Sequence, residues 1–232
     1  MTQFSLDALD LAALLSSRVC HDVISPVGAI VNGLEVLEDK DMDAEMRSHA
    51  LALIKSSAGE ASARLQFCRL AFGAAGSKGA SIDTGDAELV TRQFLADERT
   101  QLNWSVPRAL MSKNKVKLLL NLCLMADATI PRGGVISVSS SGHDEHVSFK
   151  IEAKGTNARL AANIPGLLAG EAEDGVIDAR AVQPYYAGLV ARACGLDVSV
   201  SSEPELVTFE AKPAAIGAAA DGSAQESQSA VA

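Results

Sequence analysis

Two long stretches of helical periodicity open the chain, residues 5 to about 38 and about 43 to 72, joined only by the linker EDKDMD. So short a connection folds the two helices back on each other as an antiparallel hairpin. Ser5 is placed to cap the first helix, and Asp7 suits its first turn. With successive residues set about 100° apart, Cys20, Val23, Val27, Ile30, Val31 and Leu34 gather on one side of it. On the second helix Met46, Ala50, Leu53, Ser57, Ala61, Leu65, Cys68 and Phe72 approximate a single stripe. A lone hairpin offers each stripe one neighbour and needs a further layer. A two-fold axis supplies that layer as a second copy, which predicts a homodimer held by a four-helix bundle.

The pattern changes after GAAGSKGAS at residues 73 to 81, a composition that marks a boundary. Beyond it, Asp86 to Ala96 has helical character, and residues 112 to 129 form a strongly apolar helix with Ser112 as N-cap. PRGG ends that helix. Strands are expected at Val135–Ser139 and Val147–Ala153 around the polar turn SGHDEH, and at Val198–Ser202 and Leu206–Lys212 around EPE. Asp178 to Cys194 reads as a further helix despite Pro184, stopped by Gly195. The fold class is therefore α+β: a helical hairpin over residues 1–75, an α/β sandwich over 81–213, and a tail over 214–232 whose Ala, Gly, Ser and Gln content predicts disorder.

The formal charge of -9 removes the clustered Lys and Arg that nucleic acid or an anionic membrane would require. The apolar runs fall short of the roughly 20 residues that cross a bilayer, and the start MTQFSLDALD lacks a secretory signal's pattern, so a cytoplasmic protein is expected. Cys20, Cys68, Cys123 and Cys194 are scattered in apolar contexts and are expected to be buried reduced thiols, with no metal site.

The stretch RVCHDVISPVGAI, residues 18 to 30, carries the chemistry. His21 lies well outside the apolar stripe and should face outward. Ser17 and Ser25, four residues to either side, and Gly28, seven beyond, leave a face of small groups on which another backbone can approach the ring. Arg18 is available for negative charge. Pro26 lacks the donor that would bond to residue 22 and is expected to kink the helix just beyond His21. An exposed imidazole is largely neutral at neutral pH and can accept and donate a phosphoryl group. On the residues alone, His21 can equally be a surface histidine and Pro26 a tolerated kink.

HDVISP resembles the His-acid-x-x-x-Pro motif of dimerising histidine-kinase domains, and the longer RVCHDVISPVGAIVNGLEVL resembles the histidine phosphotransferases of bacterial cell-cycle phosphorelays. The likeness runs through residues 1 to about 213. It implies that His21 is the phosphorylated residue and that the adjacent Asp22 tunes or orients its ring. It also implies a hybrid histidine kinase of the CckA type as donor, response regulators of the CtrA and CpdR types as acceptors, and magnesium held by the partner receiver rather than by this chain.

The second region resembles the ATP-binding domain of histidine kinases in a degenerate form. In NLCLMADAT, Asn121 keeps the first asparagine of the nucleotide motif, but Met125 stands in place of the magnesium-binding asparagine, and a thioether is a poor ligand for a hard cation. Ala128 replaces a basic residue. In IEAKGTNAR, Ala153 replaces the adenine-recognising aspartate and Asn157 the last glycine, while Gly155 is kept. In QPYYAGLVARACG, Tyr185 and Tyr186 replace small residues that would let backbone amides reach phosphate. The expected function is a histidine phosphotransferase that binds no cofactor and is not an ATP-dependent kinase. Two alternatives are a dimeric receiver-binding adaptor that carries no phosphate and a histidine kinase with a diverged nucleotide site. His49, His143 and His146 read as surface residues, and Trp104 as core or interface.

Overall fold

The computed structural model describes residues 5–73, 80–95, 99–171, 177–179 and 181–214. The chain begins with two long helices, α1 (Ala8–Glu38) and α2 (Ala44–Ala71), packed side by side. Asp7, and not Ser5, caps α1: its carboxylate accepts from the amides of Leu9 and Asp10. Asp43 caps α2 through the Met46 amide. The face of α1 turned to α2 carries Pro26 and Gly33, the two residues of this helix that are fully buried. At Gly33 the approach is so close that a Cβ would stand 2.6 Å from Ile54 Cγ1, so only glycine permits this spacing. The stripe from Cys20 to Leu34 is a different face; its Val27, Val31 and Leu34 are exposed, as is the neighbouring Ile24. The helix continues through Pro26, whose ring is part of the packed face.

The second layer follows as β1 (Ser81–Asp83), α3 (Thr84–Phe94), β2 (Thr100–Ser105), β3 (Leu110–Ser112), α4 (Lys113–Thr129), β4 (Gly134–Ser141), β5 (Ser148–Lys154), α5 (Ile164–Ala169), α6 (Val182–Ala193), β6 (Leu196–Glu203) and β7 (Leu206–Pro213). A five-stranded sheet has the order β2-β4-β5-β7-β6, with β2 and β4 parallel and the other neighbours antiparallel; β1 and β3 pair separately. One sheet face meets the helices and presents Ile136, Val138, Phe149, Ile151, Val207 and Phe209 to the main core. The other is polar, where Lys150 stands opposite Glu210 in register and pairs with Glu152. Alternation of period two thus separates core from solvent.

The helix expected at Asp86–Ala96 begins earlier, because Asp83 supplies the cap, and the one expected from Asp178 begins at Val182. The strands β1, β2 and β3 and helix α5 were not expected. All are short, and α5 carries Pro165 and Gly166, which mask a helical pattern. Most of the boundary at 73–81 and the tail beyond Ala214 lie outside the described residues.

Among the described residues α1 is the one helix with the length and mean hydropathy to cross a membrane, contrary to the expectation from apolar runs; only 11% of its most apolar window is buried. The difference arises because Arg18 and Asp22 interrupt the run without lowering its average much.

At Gly188 of α6 a Cβ would collide with the Leu168 carbonyl of α5, a backbone obstacle, whereas at Gly33 the obstacle is the Ile54 side chain. Gly188→Ala is expected to cost about 1–3 kcal/mol in urea unfolding and Gly33→Ala less; the reverse ranking would contradict this packing.

Candidate functional site

His21 lies near the middle of α1 with 79% of its side chain exposed. Ser17 and Ser25 are exposed beside it, and a Cβ added at Gly28 would meet nothing within 4 Å. The face around the ring is open and lined with small groups.

Beneath it runs a charge pair. Arg18 Nε donates to both carboxylate oxygens of Asp22, at 3.2 and 3.0 Å, an i to i+4 pair on one helical face. Asp22 is only 9% exposed, so this pair is better shielded than an ordinary surface one. Its Oδ1 also stands 3.4 Å from His21 Nδ1, at the long end of hydrogen-bonding range. A carboxylate there favours the tautomer with its proton on Nδ1, in which Nε2 is the nitrogen with the available lone pair. Arg18 is therefore not a free cation, as its sequence position suggested, but engaged with Asp22. The opposite charges four residues apart are the signal that would have foretold it.

Arg18 and Asp22 also border a groove of about 800 Å³ between the hairpin and the α/β layer, walled on the far side by Gln93, Phe94, Asp127 and Ala128. The Cys68 thiol of α2 belongs to the same neighbourhood: burial pushes it up to about 11, and the Asp22 charge adds to the rise. Cys123 and Cys194 are raised by burial to about 12 and about 11. Cys20, expected to be buried, is exposed, because it lies on the outer stripe of α1, and Cys194, also expected to be buried, is half-buried just after α6.

The residues that the sequence resemblance sets against three nucleotide motifs are occupied with packing. Met125 is buried and lines a cleft of about 520 Å³ with Ala128, Arg159, Ile164 and Phe209. The Ala153 methyl group is fully buried in the main core. Asn121 is fully buried, and its amide donates to the carbonyls of Ala71, at 3.1 Å, and Lys117, at 2.9 Å. Its Oδ1 has no partner among the described residues. Tyr185 is buried and accepts a hydrogen bond from the Leu6 amide through its hydroxyl at 3.2 Å. Tyr186 packs against Phe72 with ring centroids 5.8 Å apart. These partners are distant in sequence, and no local spacing announces them.

His49 is exposed on α2, 3.8 Å from Glu45. His143 and His146 are exposed at the 3-10 turn between β4 and β5. No cluster of three potential metal ligands occurs among the described residues. Trp104 packs between the main core and the one at the end of α2.

The family model for the histidine phosphotransferase C-terminal domain matches residues 84–205, from α3 to the turn before β7. The protein phosphotransferase ChpT of Brucella abortus (strain 2308) is 50% identical over 208 residues, covering 90% of this chain and 98% of that protein. A solved structure of a bacterial phosphotransferase superposes with a TM-score of 0.82 at 47% identity, over 91% of this chain and 100% of its own.

Thiols raised this far carry almost no thiolate at pH 8, about one part in a thousand or less. Iodoacetamide at pH 8 is expected to leave Cys68, Cys123 and Cys194 unmodified until the protein is unfolded, as read by peptide mass spectrometry. In a second test, Arg18→Gln is expected to lower stability by about 1–3 kcal/mol, because the shielded Asp22 carboxylate loses its donor, while shifting the imidazole nitrogen resonances of His21, since Asp22 is then released toward the ring. Unmoved resonances would uncouple Arg18 from the histidine.

Proposed function

The chain belongs to the histidine phosphotransferase family, and from that premise we propose that His21 is its phosphocarrier. The observation that carries this reading is a mid-helix imidazole, 79% exposed among small neighbours, with a shielded carboxylate 3.4 Å from Nδ1. Nε2 attacks the phosphorus of an aspartyl phosphate on a receiver domain. The N–P bond forms as the P–O bond breaks, and the receiver's aspartate departs as carboxylate. The reverse step delivers the phosphoryl group to the aspartate of a second receiver on the same face. Asp22 holds the ring's tautomer, and Arg18 holds Asp22. Ser17, Arg18, Ser25 and Gly28 form the docking face, which lets a receiver approach with its own magnesium and acidic pocket.

Following the sequence resemblance, the donor is the receiver of a CckA-type hybrid histidine kinase and the acceptors are CtrA- and CpdR-type response regulators that control the cell cycle. The chain performs no ATP-dependent phosphorylation of its own. Support comes from Met125, Ala153 and Tyr185, which fill the positions of three nucleotide contacts with apolar or bulky side chains. The protein acts as a cytoplasmic homodimer. Ile24, Val27, Val31 and Leu34 on α1 and Met46, Leu53 and Leu65 on α2 are exposed, a surface suited to a second hairpin. The same stripe is flanked on α1 by the polar face of Ser17, Arg18, His21, Asp22 and Ser25, which suits a protein neighbour better than lipid on all sides.

In a reconstituted relay from phosphorylated donor receiver to acceptor receiver, His21→Ala is expected to abolish transfer while binding persists; undiminished transfer would leave only an adaptor role. Labelled ATP with the purified protein alone is expected to give no phosphohistidine, and robust labelling of His21 would make the protein a kinase. The mass in solution at micromolar concentration is expected to be that of a dimer.

A further inference from the structure

The phosphocarrier reading says which atom accepts phosphate but not what fixes the α/β layer relative to it. The chain ends of an antiparallel hairpin lie together, so residue 6 before α1 and residue 72 after α2 are at its open end. Both are gripped by neighbouring residues of one short segment. Tyr185 accepts from the Leu6 amide at 3.2 Å and is packed in a core with Leu167 and Val182, against which Leu11, Leu14 and Leu15 of α1 also lie. Tyr186 meets Phe72. Two residues before Tyr185, Gln183 Nε2 donates to the backbone carbonyl of Asn121 at 3.0 Å, and the Asn121 amide donates in turn to Ala71 at the last turn of α2.

We propose that the first turn of α6, Gln183 to Tyr186, together with Asn121, is a clamp that fixes the α/β layer on the open end of the hairpin. It sets one orientation between His21 and the wall that a docking receiver must also meet. Tyr185 and Asn121 are positioning residues, since neither approaches the reacting atoms. The inference rests on the phosphotransfer reading. Its leverage is geometric: His21 stands about 20 Å along α1 from the clamp, so a tilt of about 10° there would displace the facing wall by about 3.5 Å. Misplacement of about 1 Å is already enough to slow a positioned reaction markedly. The wall that would move is the one formed by Gln93, Phe94, Asp127 and Ala128 across the groove from Asp22.

The test uses the full chain and two phosphoryl donors. Phosphoramidate is a small molecule that needs only the imidazole, whereas a phosphorylated receiver domain needs the docking geometry as well. For Tyr185→Ala, amide exchange across residues 6–15 and 164–170 is expected to rise about tenfold or more while β5 stays protected. Labelling of His21 by phosphoramidate should remain within about twofold of wild type, and transfer from the receiver should show a KM raised about tenfold with little change in kcat. Tyr185→Phe removes only the hydroxyl and should give the same pattern about threefold in size; it decides the matter if Tyr185→Ala fails to fold. Loosened exchange with an unchanged receiver KM would overturn the proposal. So would a KM effect matched by equal loss of phosphoramidate labelling, which would mean damage to α1 itself. If neither donor labels the wild type, the phosphocarrier reading fails, and the exchange comparison still decides whether the clamp exists.

Discussion

The last turns of α2 do not stop at the surface of the α/β layer but enter its core. Phe67, Leu70 and Ala71 are buried together with Ala87 and Val90 of α3 and Val116, Leu120 and Leu124 of α4. The Phe67 ring lies 4.4 Å from that of Phe94, centroid to centroid, and the Arg64 guanidinium covers the other ring from 5.7 Å. Burial of this kind is worth about 1.5–3 kcal/mol for each large side chain. It ties α2 to the sandwich, the close contact at Gly33 ties α1 to α2, and these two joints, together with the clamp at Asn121 and Tyr185, place His21 in space.

Within that frame α1 divides its circumference into three. One face, with Pro26 and Gly33, meets α2. A second, from Ile24 to Leu34, is apolar and exposed. The third carries His21 with its serines and glycine, and Asp22 and Arg18 lie at the seam between it and the packed face. Three surfaces on one helix explain why its average hydropathy is high although its most chemical residues are at mid-length.

Much of this was legible in the sequence, for a physical reason. The two long helices, the buried helix after Ser112 and both sheet hairpins announce themselves by periodicity, which local geometry enforces. The outward position of His21 followed from the same wheel. What was illegible depends on partners far apart in the chain. The stripe of α1 was identified correctly as apolar, but its residues could not say that α2 would take the other face. Asn121 reads as a remnant of a nucleotide motif until its amide is found on Ala71, 50 residues away. The parallel strand β2 was missed although TQLNWS alternates half-buried with exposed residues, because it is a six-residue edge strand whose parallel partner β4 lies about 30 residues on and no hairpin turn announces the pairing.

The contacts of Tyr185 and Asn121 have a consequence for substitution as well as a mechanical one. A small residue at 185, of the kind a phosphate loop requires, would remove the hydroxyl that receives the Leu6 amide and open a hole among Leu167, Ile177 and Val182. Replacing Asn121 by an apolar residue would strip the Ala71 carbonyl of its donor. A change at either position is therefore penalised in folding before it can be rewarded by any contact with a ligand, so these two sites resist substitution from within the fold.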